Sequence, residues 1–187
     1  MREKGLQATT LKDIAAAVGG DRASIYYYFR NKEDIFREMI RLGMADVISQ
    51  LEAQSRVDGT ASQRLRAAMA AVLNAYETHY PYLYIYFQED HSSRVIDPSL
   101  NAEILDLGRK YERLFRQIVD DGVRAGEFTD AIPTAVVLYS VMGMVNWTHR
   151  WFRPDGRMSA IELSGFMADL LLQGLTSQRG QQSAAVR

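Results

Sequence analysis

The 187-residue chain contains no cysteine, only three histidines and only four prolines. Without cysteine it can form neither a disulfide framework nor a thiolate zinc site. The histidines at positions 79, 91 and 149 stand at no recognised metal-ligand spacing. The longest apolar run, residues 135–145, is interrupted by Ser140 and is too short to cross a bilayer. The sequence therefore predicts a cytoplasmic protein without a metal or another cofactor.

Signals of catalysis and of β-structure are missing as well. The chain has no G-x-S-x-G, no H-E-x-x-H and no glycine-rich phosphate-binding motif. It has no strand alternation of useful length and no internal repeat, whereas apolar residues recur at helical spacing along most of its length. The sequence thus predicts an all-α protein of about eight helices and gives no support for an enzyme.

The charge is unevenly distributed along the chain. Residues 1–32 hold six Lys or Arg against three Asp or Glu, a net charge of +3, and the total of −1 leaves −4 for the remainder. A basic end on an acidic body is typical of a DNA-binding head joined to a body with another purpose.

Residues 9–32, TTLKDIAAAVGGDRASIYYYFRNK, have the pattern of a helix-turn-helix. Gly19-Gly20 breaks the first helix, and Asp21 can cap a second, short helix that buries Ile25 and Phe29. Two short helices joined by a glycine turn fit the DNA major groove. The first helix has apolar residues at i, i+3, i+4 and i+7, namely Leu11, Ile14, Ala15 and Val18.

Three consecutive tyrosines, Tyr26, Tyr27 and Tyr28, lie on the second helix. The alternative to a DNA-binding role is that they are core aromatics. However, three successive helical positions span about 200°, so they cannot all be buried on one face. An exposed tyrosine beside Arg22 suits phosphates and base edges.

The motif T-T-x-x-x-I-A, then G, then I-Y-Y-Y-F-x-N-K-E-D-I-F resembles the DNA-binding domain of TetR-family transcriptional regulators. The resemblance is dense over residues 5–36. It implies a homodimer on a palindromic operator in double-stranded DNA, with Thr10 and Lys32 at phosphates. Two departures are Gly20, where the family usually has a small apolar residue, and a first helix of which only MREKG remains. The remaining implied contacts, in or beside the groove, are Arg22, Ala23, Ser24, Tyr26, Tyr27 and Tyr28.

The resemblance and the helical pattern divide the chain into a DNA-binding domain at 1–45, a ligand-binding and dimerisation domain at 46–176 and a flexible tail at 177–187. Asn31 can cap a helix from Lys32 to about Gln54, which would span roughly 35 Å from the head into the body. This helix is either a lever between the two domains or a passive connection.

The last two helices are predicted at about 133–147 and 159–175. The first of them is apolar almost all round, so it should be buried on two sides, one of them facing a second subunit. The family resemblance implies a four-helix dimer interface, and the alternative is that these residues are all intramolecular core. The predicted dimer residues are Val137, Val141, Phe166, Leu170 and Leu171.

An effector pocket is predicted between residues 76–87, which hold five tyrosines and one phenylalanine, and the end of the 133–147 helix. Trp147 and Trp151 are four apart and would share a helix face, with Arg150 placed to meet an anion. The alternative is that both tryptophans are core or dimer contacts. The predicted lining is Tyr76, Tyr80, Tyr84, Phe87, Tyr111, Asn146, Trp147, Arg150 and Trp151.

The ending N-W-x-x-R-W-F-x-P-x-G-R also resembles regulators of fatty-acid and sterol breakdown that respond to acyl-CoA. Few acidic residues lie near the predicted wall, which favours a lipophilic acid or its acyl-CoA thioester over a cation. The sequence thus predicts a ligand-released repressor. The alternatives are a TetR-type efflux regulator that responds to aromatic or cationic drugs and a helical interaction protein that does not bind DNA.

Overall fold

The computed structural model describes residues 8–19, 22–55, 58–79 and 98–175, and the regular elements of these ranges are helices. The predicted all-α class is therefore confirmed. None of these helices is long and apolar enough to cross a membrane. In chain order they are α1 Leu11–Val18, α2 Arg22–Tyr28, α3 Lys32–Ser55, α4 Ala61–Thr78, α5 Pro98–Arg124, α6 Thr134–Asn146 and α7 Ala160–Leu175, with a 3-10 turn at Trp147–Arg150 directly after α6.

Side chains cap the helices where the sequence places Thr, Ser or Asn before a helical run. Thr60 forms a capping box with Gln63, and Ser159 forms one with Glu162, as predicted. The Asn31 side-chain oxygen accepts a hydrogen bond from the Asp34 amide at 2.7 Å at the start of α3. These bonds satisfy amide groups that have no partner inside their own helix, which fixes where each helix begins.

Helix α4 is the centre of the body. It packs against α3, α5, α6 and α7, and its inner residues Leu65 and Met69 are fully buried. Phe115 of α5 and Leu138 of α6 are also fully buried in the same core cluster. The apolar face predicted for residues 60–79 is thus covered by four other helices.

The end of α5 is tied to the beginning of α4. The Glu127 carboxylate accepts hydrogen bonds from the Ala61 and Ser62 amides at 2.9 and 3.2 Å. The Phe128 ring is so close to Gly122 that a Cβ atom on Gly122 would lie 2.3 Å from a ring carbon. A side chain at this position would therefore collide with the ring.

Three predicted segments lie outside the described residues. They are the remnant of a first helix at residues 1–5, the aromatic residues 80–87 and the tail at 177–187.

Candidate nucleic-acid interface, effector site and dimer face

Helix α2 presents an exposed surface of small and aromatic side chains. Tyr26, Tyr27 and Tyr28 are 46, 82 and 74% exposed. All three tyrosines therefore face outward, whereas helical geometry required this of at least one of them. The Tyr27 and Tyr28 rings meet edge to face with centroids 5.0 Å apart. Ala23 and Ser24 are also exposed. A face of small residues flanked by phenols allows close approach to base edges and hydrogen bonds to phosphates. Arg22 begins α2, but its side chain lies outside the described part.

Thr10 caps α1, the helix that precedes α2, and is exposed. Its hydroxyl donates to the Asp13 carboxylate at 2.8 Å and accepts from the Asp13 amide at 3.2 Å. A phosphate at this position would compete with Asp13 for the hydroxyl. The Asp34 carboxylate, in the first turn of α3, accepts from the Arg30 amide at 3.1 Å and so ties the end of the helix-turn-helix to α3. Lys32, which lies between Arg30 and Asp34 in the sequence, is half-buried.

Two predicted effector residues meet inside the body. The Tyr111 hydroxyl of α5 donates to the Asn146 side-chain oxygen at 3.1 Å at the end of α6. Tyr111 is only 8% exposed, and burial raises the pKa of its phenol above the ordinary value. It therefore stays a neutral hydrogen-bonding group. The Phe115 ring packs against Tyr111 with a centroid distance of 5.2 Å.

The two tryptophans do not share a helix face, which corrects the spacing argument. Helix α6 ends at Asn146 and is followed by a 3-10 turn from Trp147 to Arg150. With about three residues per turn, positions four apart point roughly 120° apart. Trp147 and Trp151 are 60 and 54% exposed in the protomer. The Arg150 guanidinium lies over the Trp147 ring, 4.9 Å from its centroid, a cation–π contact.

The aromatic part of the predicted pocket is only partly within the described residues. Tyr76, at the end of α4, is buried, and its ring lies 6.3 Å from the ring of Phe152. Tyr80, Tyr84 and Phe87 lie outside the described residues. The structure therefore brings Tyr111 and Asn146 together and places Tyr76 beside the segment that follows the 3-10 turn.

An exposed apolar face extends over α6 and α7. Phe166 and Leu170 of α7 are 63 and 70% exposed, as expected for dimer contacts, and Leu171 is partly buried. A groove of about 280 Å³ lies between the two helices, with Leu170 and Leu171 in its wall. Isolated apolar residues are common on surfaces, whereas a continuous apolar face marks an interaction site.

Val137 and Val141, predicted as dimer contacts, face the inside of the protomer. They are 4 and 0% exposed and belong to the protomer's own core, although Val137 also lines the groove between α6 and α7. The side of α6 that faces outward carries Val136 and Tyr139, which are 54 and 57% exposed. Because α6 is apolar almost all round, its sequence pattern does not distinguish the inner face from the outer one.

One polar contact of the body was not predicted. The His79 imidazole, at the end of α4, lies 2.8 Å from the Asp46 carboxylate of α3. The two residues are far apart in the sequence and match no local motif, so the sequence offers no signal that would pair them.

Comparison with known proteins places both parts of the chain in one family. The profile described as "Bacterial regulatory proteins, tetR family" matches residues 1–39. The profile described as "Tetracyclin repressor-like, C-terminal domain" matches residues 58–175.

Individual relatives cover nearly the whole chain. The HTH-type transcriptional repressor KstR2 of Mycobacterium tuberculosis is 29% identical over 181 residues, which are 94% of this chain and 87% of that protein. The crystal structure of PfmR, a TetR-family transcriptional regulator from Thermus thermophilus, is 32% identical with a TM-score of 0.85 over 94% of both chains. The fold also matches FadR from Bacillus subtilis in complex with stearoyl-CoA, with a TM-score of 0.74 at 22% identity over 92% of this chain and 91% of that one.

Proposed function

The chain belongs to the TetR family of bacterial regulatory proteins, and from this premise we propose how it acts. It is a transcriptional repressor that binds a palindromic operator as a homodimer. A lipophilic acid or its acyl-CoA thioester enters the body and releases the DNA. The protein regulates transcription in the cytoplasm and catalyses no reaction. The DNA-binding domain ends near residue 45, and the body serves both for ligand binding and for dimerisation.

The exposed face of α2 is the observation that supports the DNA-binding assignment. Three adjacent tyrosines are solvated there beside exposed Ala23 and Ser24, although aromatic residues are normally placed where they can bury surface. A DNA groove gives this face a partner. Arg22, Ala23 and Tyr27 are assigned to the groove, with Thr10 and Lys32 at phosphates on either side.

Two substitutions separate base contacts from phosphate contacts. Arg22→Ala should weaken binding to the operator by about 1–3 kcal/mol and reduce discrimination between sequences. Lys32→Ala should weaken binding to all DNA sequences alike and make the affinity less dependent on salt concentration. Fluorescence anisotropy over a salt series, on duplexes that the wild-type protein selects from a random library, measures both effects. If Arg22→Ala keeps full specificity with an unchanged circular dichroism spectrum, α2 is not the recognition helix.

The effector assignment rests on the polarity of the residues around the end of α6. The Tyr111–Asn146 hydrogen bond offers a neutral polar anchor among buried apolar residues of the body, Phe115 among them. Arg150 carries a positive charge in the 3-10 turn that follows Asn146, and its guanidinium lies over the Trp147 ring. Apolar surroundings followed along the chain by a cation suit a ligand with a long apolar part and an anionic end. The names of two relatives agree with this ligand class, since FadR was crystallised with stearoyl-CoA and KstR2 is described as a ketosteroid transcriptional regulator.

Release of the operator tests the effector. We expect stearoyl-CoA to dissociate the protein–DNA complex, while coenzyme A alone and the planar cation ethidium do not. Trp147→Ala and Arg150→Ala should raise the stearoyl-CoA concentration required without changing operator affinity. Arg124→Ala is the control, because Arg124 is an exposed arginine at the end of α5, outside the motif that resembles acyl-CoA-responsive regulators. Release by cations with no response to acyl-CoA would favour a drug-responsive efflux regulator instead.

A further inference from the structure

Helix α3 passes from the DNA-binding head into the body. In its first half Phe36 and Ile40 are buried at 2 and 1% exposure but do not belong to the body's core cluster. From Val47 onward its inner residues, Ile48 and Leu51 among them, are part of that cluster. The core cluster of the body therefore ends on α3 at Val47, and we call residue 46 the crossing point; Arg41 is still near enough to α5 for the charge of Glu103 to act on it.

Asp46 stands at this crossing point and is bonded to the body. Its carboxylate lies 2.8 Å from the Nε2 atom of His79. Hydrogen bonds from His79 and then from Gln50 hold the pKa of Asp46 below its ordinary value, so the acceptor is a charged carboxylate. Hydrogen bonds to ionised groups are shorter and stronger than those between neutral groups.

His79 is a firm anchor for this bond. It is the residue that caps α4, and its backbone amide donates to the Ala75 carbonyl at 2.8 Å. Helix α4 is the central helix of the body and is surrounded by four others. The bond therefore joins the crossing point of α3 to the most enclosed element of the body.

The angle of α3 at this point controls where the head lies. From Asp46 back to Lys32 the helix is about 21 Å long at ~1.5 Å per residue. A tilt of about 10° around Asp46 would move its outer end by about 4 Å, close to the ~3.4 Å step of one base pair. Because a dimer carries two heads, a small tilt changes the half-site separation that it can bind.

We propose that Asp46 and His79 are a positioning pair that fixes the angle between α3 and the body and thereby sets the half-site spacing that the dimer accepts. The inference rests on the proposed operator binding, and it adds a specificity determinant that does not touch DNA. Neither residue needs to contact the effector for this role.

Operators of different spacing test the pair directly. The wild-type protein first selects its consensus from a random DNA library. Duplexes are then made with the two half-sites at the selected spacing and one or two base pairs closer or further apart, together with an isolated half-site. The full-length proteins compared are wild type, Asp46→Asn, His79→Ala and the double variant. Glu52→Gln is the control, because Glu52 lies on the same helix as Asp46 and pairs at 2.7 Å with Lys110 of α5.

We expect the preference for the selected spacing over its neighbours to fall about two- to tenfold in each single variant, as for the loss of one hydrogen bond. The double variant should lose no more than either single one, because both changes remove the same contact. Affinity for the isolated half-site and the spacing profile of Glu52→Gln should match the wild type.

An unchanged spacing profile in Asp46→Asn and His79→Ala overturns the inference while leaving the proposed function intact. A uniform loss of affinity that includes the isolated half-site also overturns it, since the pair would then support the fold of the head. If the wild-type protein selects no sequence from the library, the proposed function fails and the inference fails with it.

Discussion

The exposed apolar face of α7 predicts that a double substitution, Phe166→Glu with Leu170→Glu, dissociates the homodimer. These side chains are 63 and 70% exposed in the protomer. Full burial of a large apolar side chain stabilises by about 1.5–3 kcal/mol, so covering two thirds of each is worth about 1–2 kcal/mol. Four such side chains in a dimer give about 4–8 kcal/mol, and even the lower figure raises the dissociation constant about 1,000-fold.

Sedimentation velocity at nanomolar to micromolar concentrations measures this change. The protomer itself should stay folded, because both positions are exposed and glutamate is a good helix former. Leu105→Glu on α5 is the matched control, since Leu105 is 55% exposed and does not line the groove between α6 and α7. If the double variant remains a dimer at the same concentrations as the control, the subunits meet elsewhere.

Two further predictions concern the stability of the body. Gly122→Ala should destabilise the fold by about 1–3 kcal/mol in urea titrations, because its Cβ would lie 2.3 Å from the Phe128 ring; Gly143→Ala, where a Cβ meets nothing within 4 Å, should not. The hydrogen bond from His79 lowers the pKa of Asp46 in the folded protein. The bond therefore stabilises the fold fully above the ordinary aspartate pKa of about 4, and this stabilisation is lost as the pH falls through the lower pKa of the folded state. The free energy of unfolding of Asp46→Asn should thus depend less on pH below pH ~4 than that of the wild type, and an equal dependence in the two proteins would contradict the charged Asp46–His79 bond.

The helices were predictable because the signals that define them are local. Thr60 and Ser159 mark the starts of α4 and α7 within a few residues, and capping boxes form there in the structure. Gly126 ends the α5 region with a φ of 72°, a conformation that glycine adopts without strain. Such features depend on neighbours along the chain, so they can be read without knowledge of the fold.

The end of α6 was predicted to within one residue, but the conformation that follows it was not predictable in the same way. No glycine or proline interrupts residues 146–151, so a helical face shared by Trp147 and Trp151 was the expectation there. In the structure the Thr148 hydroxyl donates to the Met144 carbonyl at 2.9 Å, and the His149 ring bonds to the Asn146 carbonyl at 2.6 Å. Side chains that bond to carbonyls of the preceding turn compete with the helical pattern. The 3-10 turn that results is what separates Trp147 from Trp151.

The candidate site likewise has some features that the local sequence predicted and others that it did not. The outward orientation of at least one tyrosine of α2 followed from helical geometry alone, because three successive positions cannot share one buried face. The inward orientation of Val137 and the pairing of Asp46 with His79 depend on how helices that are distant in the sequence are arranged. A nearly uniform apolar helix and an isolated charged residue carry no information about that arrangement.

The contact between Glu127 and the first turn of α4 has a consequence for the order in which the body folds. The amides of Ala61 and Ser62 receive their acceptor from a residue more than 60 positions later in the chain. During synthesis from the N-terminus, α4 therefore emerges long before the carboxylate that completes its first turn. That turn should stay frayed until α5 has docked, and hydrogen exchange at Ala61 and Ser62 should report the docking of α5 rather than the formation of α4.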